Sequence, residues 1–199
     1  MKFLIRFVMT LMALLSLTTS CTTTQSAKAK PLKPVYVANS NLGQYQIATV
    51  EPFEVMSSQA ANDQVGVKLA TDIANRLQYD FGPLFQTVRV GPPLGRPGEL
   101  LVTGRITDYR PGSRVARLFG PGIGRADLKG EIVLKDGTTS QPLEVAPIDK
   151  LWAFGDVIGA SKGMDDMVEE TAAAAANLIE RSKGWQSYEA RVERAATSP

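Results

Sequence analysis

LLVTGRITDYR, residues 100–110, alternates along its length. Leu100, Val102 and Ile106 fall on one side; Thr103, Arg105, Thr107 and Tyr109 fall on the other. A period of two is that of a half-buried strand. ADLKGEIVLKDG, 126–137, repeats the pattern, with Ala126, Leu128, Ile132 and Leu134 opposing Asp127, Lys129, Glu131 and Lys135. Two such neighbours call for a sheet with one apolar face that other elements must cover.

The covering elements lie on either side in sequence. Val65, Leu69, Ile73 and Leu77 share one face of a helix predicted over 62–81, with Asn62 or Asp63 as cap and Gly82-Pro83 as stop. Met164 to Lys183 reads as a second helix, with Met167, Thr171, Ala174, Ala175, Leu178 and Ile179 toward the core and Gly184 ending it. QYQIATVEPFEV (44–55) and TVRVG (87–91) read as strands, the latter broken by PPLGRPG. Strand, helix and strand at this spacing predict a right-handed parallel crossover. KLWAFGDVIG, 150–159, is expected to be the last strand. The expected fold class is α+β: a small mixed sheet with two long helices on one face, in the order β-α-β-β-β-α.

MKFLIR followed by FVMTLMALLSL and TTS has the basic, apolar, small order of a secretory signal, and its 11-residue apolar run is too short to span a bilayer. Cys21, the one cysteine, follows directly. This junction resembles the lipobox of bacterial lipoproteins. That resemblance implies cleavage before Cys21 and fatty acylation there, palmitate included, two or three chains making a stable anchor. Thr18 stands three residues before the cysteine, where leucine is usual, and Leu17 one place further off. By resemblance to Gram-negative sorting, Thr22 points to the outer membrane, facing the periplasm. The expected organisation is a signal peptide (1–20), a lipidated cysteine and flexible tether (21–40), an α+β periplasmic domain (41–185) and a polar tail (186–199). As flexible coil, residues 22–40 would reach about 25 Å.

Removing Lys2 and Arg6 with the signal leaves 20 basic and 20 acidic residues. Such a chain offers no general attraction for nucleic acid. It has no histidine, so imidazole chemistry and ligation are excluded. One cysteine allows no internal disulfide and no thiolate-rich zinc site.

RLFGPGIGRAD, 117–127, sets Gly120, Gly122 and Gly124 at every second position. A dinucleotide loop needs G-x-G-x-x-G opening a helix, and a P-loop needs lysine then serine or threonine. Here Arg125 takes the third glycine's place and a strand follows, so both phosphate loops fail. The remaining reading is a turn that uses glycine's positive φ. Residues 105–129 hold Arg105, Arg110, Arg114, Arg117, Arg125 and Lys129 against Asp108 and Asp127. With Phe119 among them, Arg114, Arg117, Phe119, Gly120, Gly122, Gly124 and Arg125 form a candidate binding loop for a headgroup, lipopolysaccharide or acidic protein. The competing reading is a solvated loop with local salt bridges.

The same region resembles a bacterial lipoprotein family, domain of unknown function 4410. Gly104, Ile106, Thr107, Tyr109, Gly112, Arg117, Gly122, Gly124 and Asp136 match its central motif; the Gly155-Asp156 region and the alanine-rich last helix are similar. The resemblance covers about residues 44–183 and departs after Asp136. It implies a small α+β periplasmic domain and no established activity.

Asp165, Asp166, Glu169 and Glu170 form an acidic cluster of the kind that binds a hard cation, but acids are favoured at a helix start by the dipole alone, and no glycine-centred calcium loop accompanies them. No metal or other cofactor is expected. Ser161-Lys162 and Ser182-Lys183 lack Ser-x-x-Lys spacing. Trp152 reads as core, or as an aromatic patch with Trp185 and Tyr188. The favoured function is a lipid-anchored protein that binds or assembles, with itself or in an envelope complex, without catalysis. The alternative is an envelope hydrolase using carboxylates and Tyr109.

Overall fold

The computed structural model describes residues 29–38, 42–81, 84–117, 124–152 and 163–184. Its elements are β1 (Tyr36–Val37), β2 (Ile47–Val50), β3 (Glu54–Val55), α1 (Ser58–Asn62), α2 (Val65–Tyr79), β4 (Thr87–Val90), β5 (Glu99–Arg110), α3 (Arg114–Arg117), β6 (Ala126–Asp136), β7 (Pro142–Trp152) and α4 (Met164–Ser182). They form a mixed seven-stranded sheet in the order β1-β7-β6-β5-β2-β4, with β3 also pairing β5. β2, β4 and β5 are mutually parallel, and β5, β6 and β7 form an antiparallel meander. α2 and α4 pack on each other and on one sheet face, enclosing a single core. The fold is α+β, as expected.

Every strand residue assigned inward on β6 is buried, as are Leu100, Val102 and Ile106. Tyr109 departs from the pattern. The β5–β6 register shifts between Ile106 and Asp108, inserting one residue at Thr107. Such a bulge inverts the alternation beyond it, so Tyr109 turns inward instead of joining Thr103 and Arg105. Gly104 marks a second constraint. A Cβ there would lie 2.2 Å from the Glu131 carbonyl oxygen and 2.6 Å from the Phe53 ring, so only glycine lets Phe53 approach the sheet.

Four boundaries differ from expectation. The stretch 44–55 splits into β2 and β3 around Pro52, which has no N–H to give to a ladder. The first long helix begins at Val65, preceded by the short α1, because Gln64 adopts a left-handed conformation (φ 51°). Neither Asn62 nor Asp63 caps the long helix, whose N-cap is Gln64 with no side-chain bond; Ser57 caps α1 through its side chain. The last strand starts at Pro142, eight residues before the expected Lys150; residues 153–159 lie outside the described ones. Pro147 and the inward Glu144 obscure its pattern. Pro147 sits beyond the end of β1, where its missing N–H costs no ladder bond.

Residues 29–38, expected to be tether unless Val35-Tyr36-Val37 began the first strand, are docked on the domain, with Tyr36–Val37 as β1. Leu32 N–H donates to the Ala174 carbonyl (3.2 Å), Val35 N–H to Val145 (2.8 Å), and β1 pairs with β7. Asn177 Nδ2 donates to the Ala29 carbonyl. The signal was α4 itself: residues 171–179 are buried on all sides, with five alanines, threonine and asparagine leaving no solvated face.

On the sheet face opposite the helices, Glu99 is fully buried. The 91–98 connection returns from Val50, whose carbonyl takes the Gly91 N–H (3.0 Å), to Gln46, whose N–H donates to Gly98 (2.9 Å), passing over Thr49. The Glu99 carboxylate accepts from Thr49 Oγ1 (2.5 Å), Leu94 N–H (2.9 and 3.0 Å) and Arg96 N–H (3.3 Å). Burial raises its pKa, but these donors together hold it below the ordinary glutamate value. Such a carboxylate stabilises the fold above the unfolded pKa of 4.5, and that contribution is lost as pH falls through the folded value. Glu99→Gln should therefore cost about 1.5–3 kcal/mol at neutral pH. Denaturant melts should show that cost shrinking below pH 4.5.

Candidate functional site

The expected binding loop rises from the far end of β5 and returns into β6. Its stem is built by close backbone contact. Gly112 has φ +64°, and a Cβ there would lie 2.4 Å from the Arg125 carbonyl oxygen. Ser113 N–H donates to the Gly124 carbonyl (3.0 Å), and Gly124 itself has φ +66°. Ser113 Oγ accepts from Ala116 N–H (3.2 Å) and so starts α3, which carries Arg114 and Arg117. Phe119, Gly120 and Gly122 lie outside the described residues, as does Cys21.

The excess of basic residues in this region is met by neighbouring strands. Arg105 Nε lies 3.0 Å from Glu131, Lys129 Nζ 4.0 Å from Asp149, and Arg110 Nε 3.3 Å from Asp108. Arg125 Nε lies 3.0 Å from Asp127 Oδ2. Asp127 is buried, and this oxygen receives no aligned N–H, so the contact is a charge pair rather than a hydrogen bond. Four of the six basic groups thus have an acid partner, and two of those acids, Glu131 and Asp149, come from beyond residue 129. Sequence separation hid them; strand register brings them across. Each exposed pair is worth little in stability but removes a free charge from the face.

The acidic cluster is likewise held by the fold. It faces α2 across a polar groove of about 460 Å³, lined by Lys68, Asp72, Arg76, Tyr79, Asp165 and Glu169 among others. Lys68 pairs with Asp165, and Arg76 with Glu169 (2.9 Å) and Asp80 (3.2 Å). Asp166 Oδ2 accepts the Gly163 N–H (2.6 Å) at the start of α4. Burial raises the Asp72 pKa more than Lys68 and Arg76 lower it. Among the described residues no group of three or more acid or cysteine side chains is placed to hold a metal ion.

Tyr109 donates to Asp63 Oδ2 (2.7 Å) and ties the α1–α2 junction to the sheet. Burial first, and this bond second, push its phenol well above the ordinary value, while the same bond lowers Asp63. Ser182 donates to the buried Glu144 (2.6 Å), and the Lys183 ammonium lies 4.3 Å from the centre of the Phe85 ring. Trp152 ends β7; Ser161, Lys162, Trp185 and Tyr188 lie outside the described residues. Tyr109→Phe should lower stability by about 0.5–1.5 kcal/mol. It should leave unchanged the tyrosinate absorbance that develops near pH 10, because Tyr109 stays protonated there. Loss of part of that absorbance would contradict the assignment.

No curated protein matches the chain. Among solved structures it is similar to a variant of PelC from Paraburkholderia phytofirmans, a dodecamer, at 14% identity and a TM-score of 0.51, over 71% of this chain and 91% of that one. A second PelC dodecamer from the same organism gives 11% identity and a TM-score of 0.49, over 73% and 91%. At this identity the likeness is one of fold. The family described as domain of unknown function (DUF4410) matches residues 35–176. That span takes in every described strand, all of α2, α4 as far as Ala176 and the glycine loop, and the chain belongs to this family.

Proposed function

We propose that this is a lipid-anchored envelope protein, held at the outer membrane and facing the periplasm, that works by binding and assembly rather than catalysis. One observation carries the reading: the groups an acid-driven hydrolase would need are engaged in holding the fold. Asp165 and Glu169 pair with α2, Asp166 caps α4, and Tyr109 is buried on Asp63. The absence of histidine and the lipobox-like junction at Cys21 support the same reading. No helix among the described residues is long and apolar enough to cross a membrane, so an acyl anchor at Cys21 would supply the attachment.

For the contact element the loop between β5 and β6 is favoured. Its stem is pinned where Gly112 and Ser113 meet Gly124 and Arg125. The dodecamers formed by PelC, of similar fold, make a second copy of the chain a natural partner.

Mature protein extracted in mild detergent should show a native mass above that of one acylated copy. Arg117→Glu combined with Arg125→Gln should bring that mass down. Converting Asp165, Asp166, Glu169 and Glu170 to amides should leave it unchanged. A single-copy mass for the unsubstituted protein at every concentration, with nothing co-purifying, would overturn the reading.

A further inference from the structure

Residues 21–50 contain Lys28, Lys30 and Lys33 and no acid, in a mature chain whose charges balance only as a whole. Within that stretch the β1 edge exposes three apolar residues in a row: Val35 at 75%, Tyr36 at 47% and Val37 at 46%. Lys30 and Lys33 are exposed beside them. Aliphatic groups, an aromatic with a polar tip and flanking lysines are the composition of a surface resting at a lipid–water boundary.

We propose that the β1 edge, Val35–Val37 with Lys30 and Lys33, lies against an anionic lipid leaflet. This rests on the acyl anchor at Cys21. Only eight peptide steps separate Cys21 from Ala29, a reach of no more than about 29 Å even fully extended. A domain of roughly 150 residues is about 40 Å across, so so short a connection keeps the docked 29–38 segment on the membrane side. Docking of Leu32 on α4 fixes where the chain leaves the domain. Charge decides between lipid and a second chain. Three lysines without a nearby sequence acid suit phosphatidylglycerol headgroups, each lysine adding to the attraction. As a template for another strand the edge is poor, since β1 has two residues and follows Pro34.

The test holds the mature chain on vesicles without using acylation. Cys21→Ser carries an N-terminal hexahistidine tag bound to nickel-chelating lipid, in phosphatidylethanolamine and phosphatidylglycerol with brominated acyl chains. A bimane is placed on Tyr36→Cys, or on Thr87→Cys at the opposite sheet edge, five strand spacings or about 24 Å away. The expected result is loss of bimane emission at 36 and not at 87, with the loss reduced when Lys30 and Lys33 become glutamine. Equal emission at both positions on loaded vesicles would overturn the proposal. So would shielding at 36 that appears only as protein density rises, which would make a second copy the occupant. Palmitate incorporation at Cys21 is read separately in cells, so failure of the anchor and failure of the membrane face give different results.

Discussion

A single buried carboxylate sets the shape of the sheet. β4 and β5 run parallel on either side of β2, and eight residues must carry the chain back between them without a helix. That connection crosses the face that the helices leave uncovered. Its backbone N–H groups would be stranded over Thr49 were Glu99 not beneath them to accept. The arrangement joins the parallel β2–α2–β4 unit to the antiparallel meander of β5, β6 and β7. Helices then need cover only one side, and the other side is left for charge pairs and for the loop at its far end.

That division explains how the charged residues are held. On the open face they pair across neighbouring strands; on the helical side they pair across the α2–α4 groove. Lys183 and Ser182 close the end of α4 against Tyr45, Phe85 and Glu144. Two regions bear on the proposed contacts: the loop between Gly112 and Gly124, and the basic, apolar β1 edge near the chain's start.

Much of the fold was legible because its apolar periods are long and clean. Val65, Leu69, Ile73 and Leu77 announce α2, and β6 alternates without interruption through Leu134. The readings failed where one residue overrides a pattern. The bulge at Thr107 reverses Tyr109, Pro52 divides a strand, and the left-handed Gln64 divides a helix. β7 was hidden because Glu144 points inward to Ser182, and a buried acid breaks the alternation that marks a strand. Of the candidate site, glycine spacing located the turn and excluded phosphate loops. Register alone showed that Glu131 and Asp149 balance its arginine and lysine neighbours, since neither is close in sequence. The docking of residues 29–38 was foreshadowed by the strand-forming Val35-Tyr36-Val37 and by α4, whose alanine-rich middle has no polar side to give to water.

The most direct measurement is photo-crosslinking in cells from Phe119, within the span that the Gly112–Gly124 stem holds, with mass spectrometry of the adduct. A protein that works by contact through this loop gives a discrete adduct, whose mass identifies a second copy, another envelope protein or lipid. No adduct from a folded, membrane-attached protein would contradict the account and leave RLFGPGIGRAD as a turn between two strands.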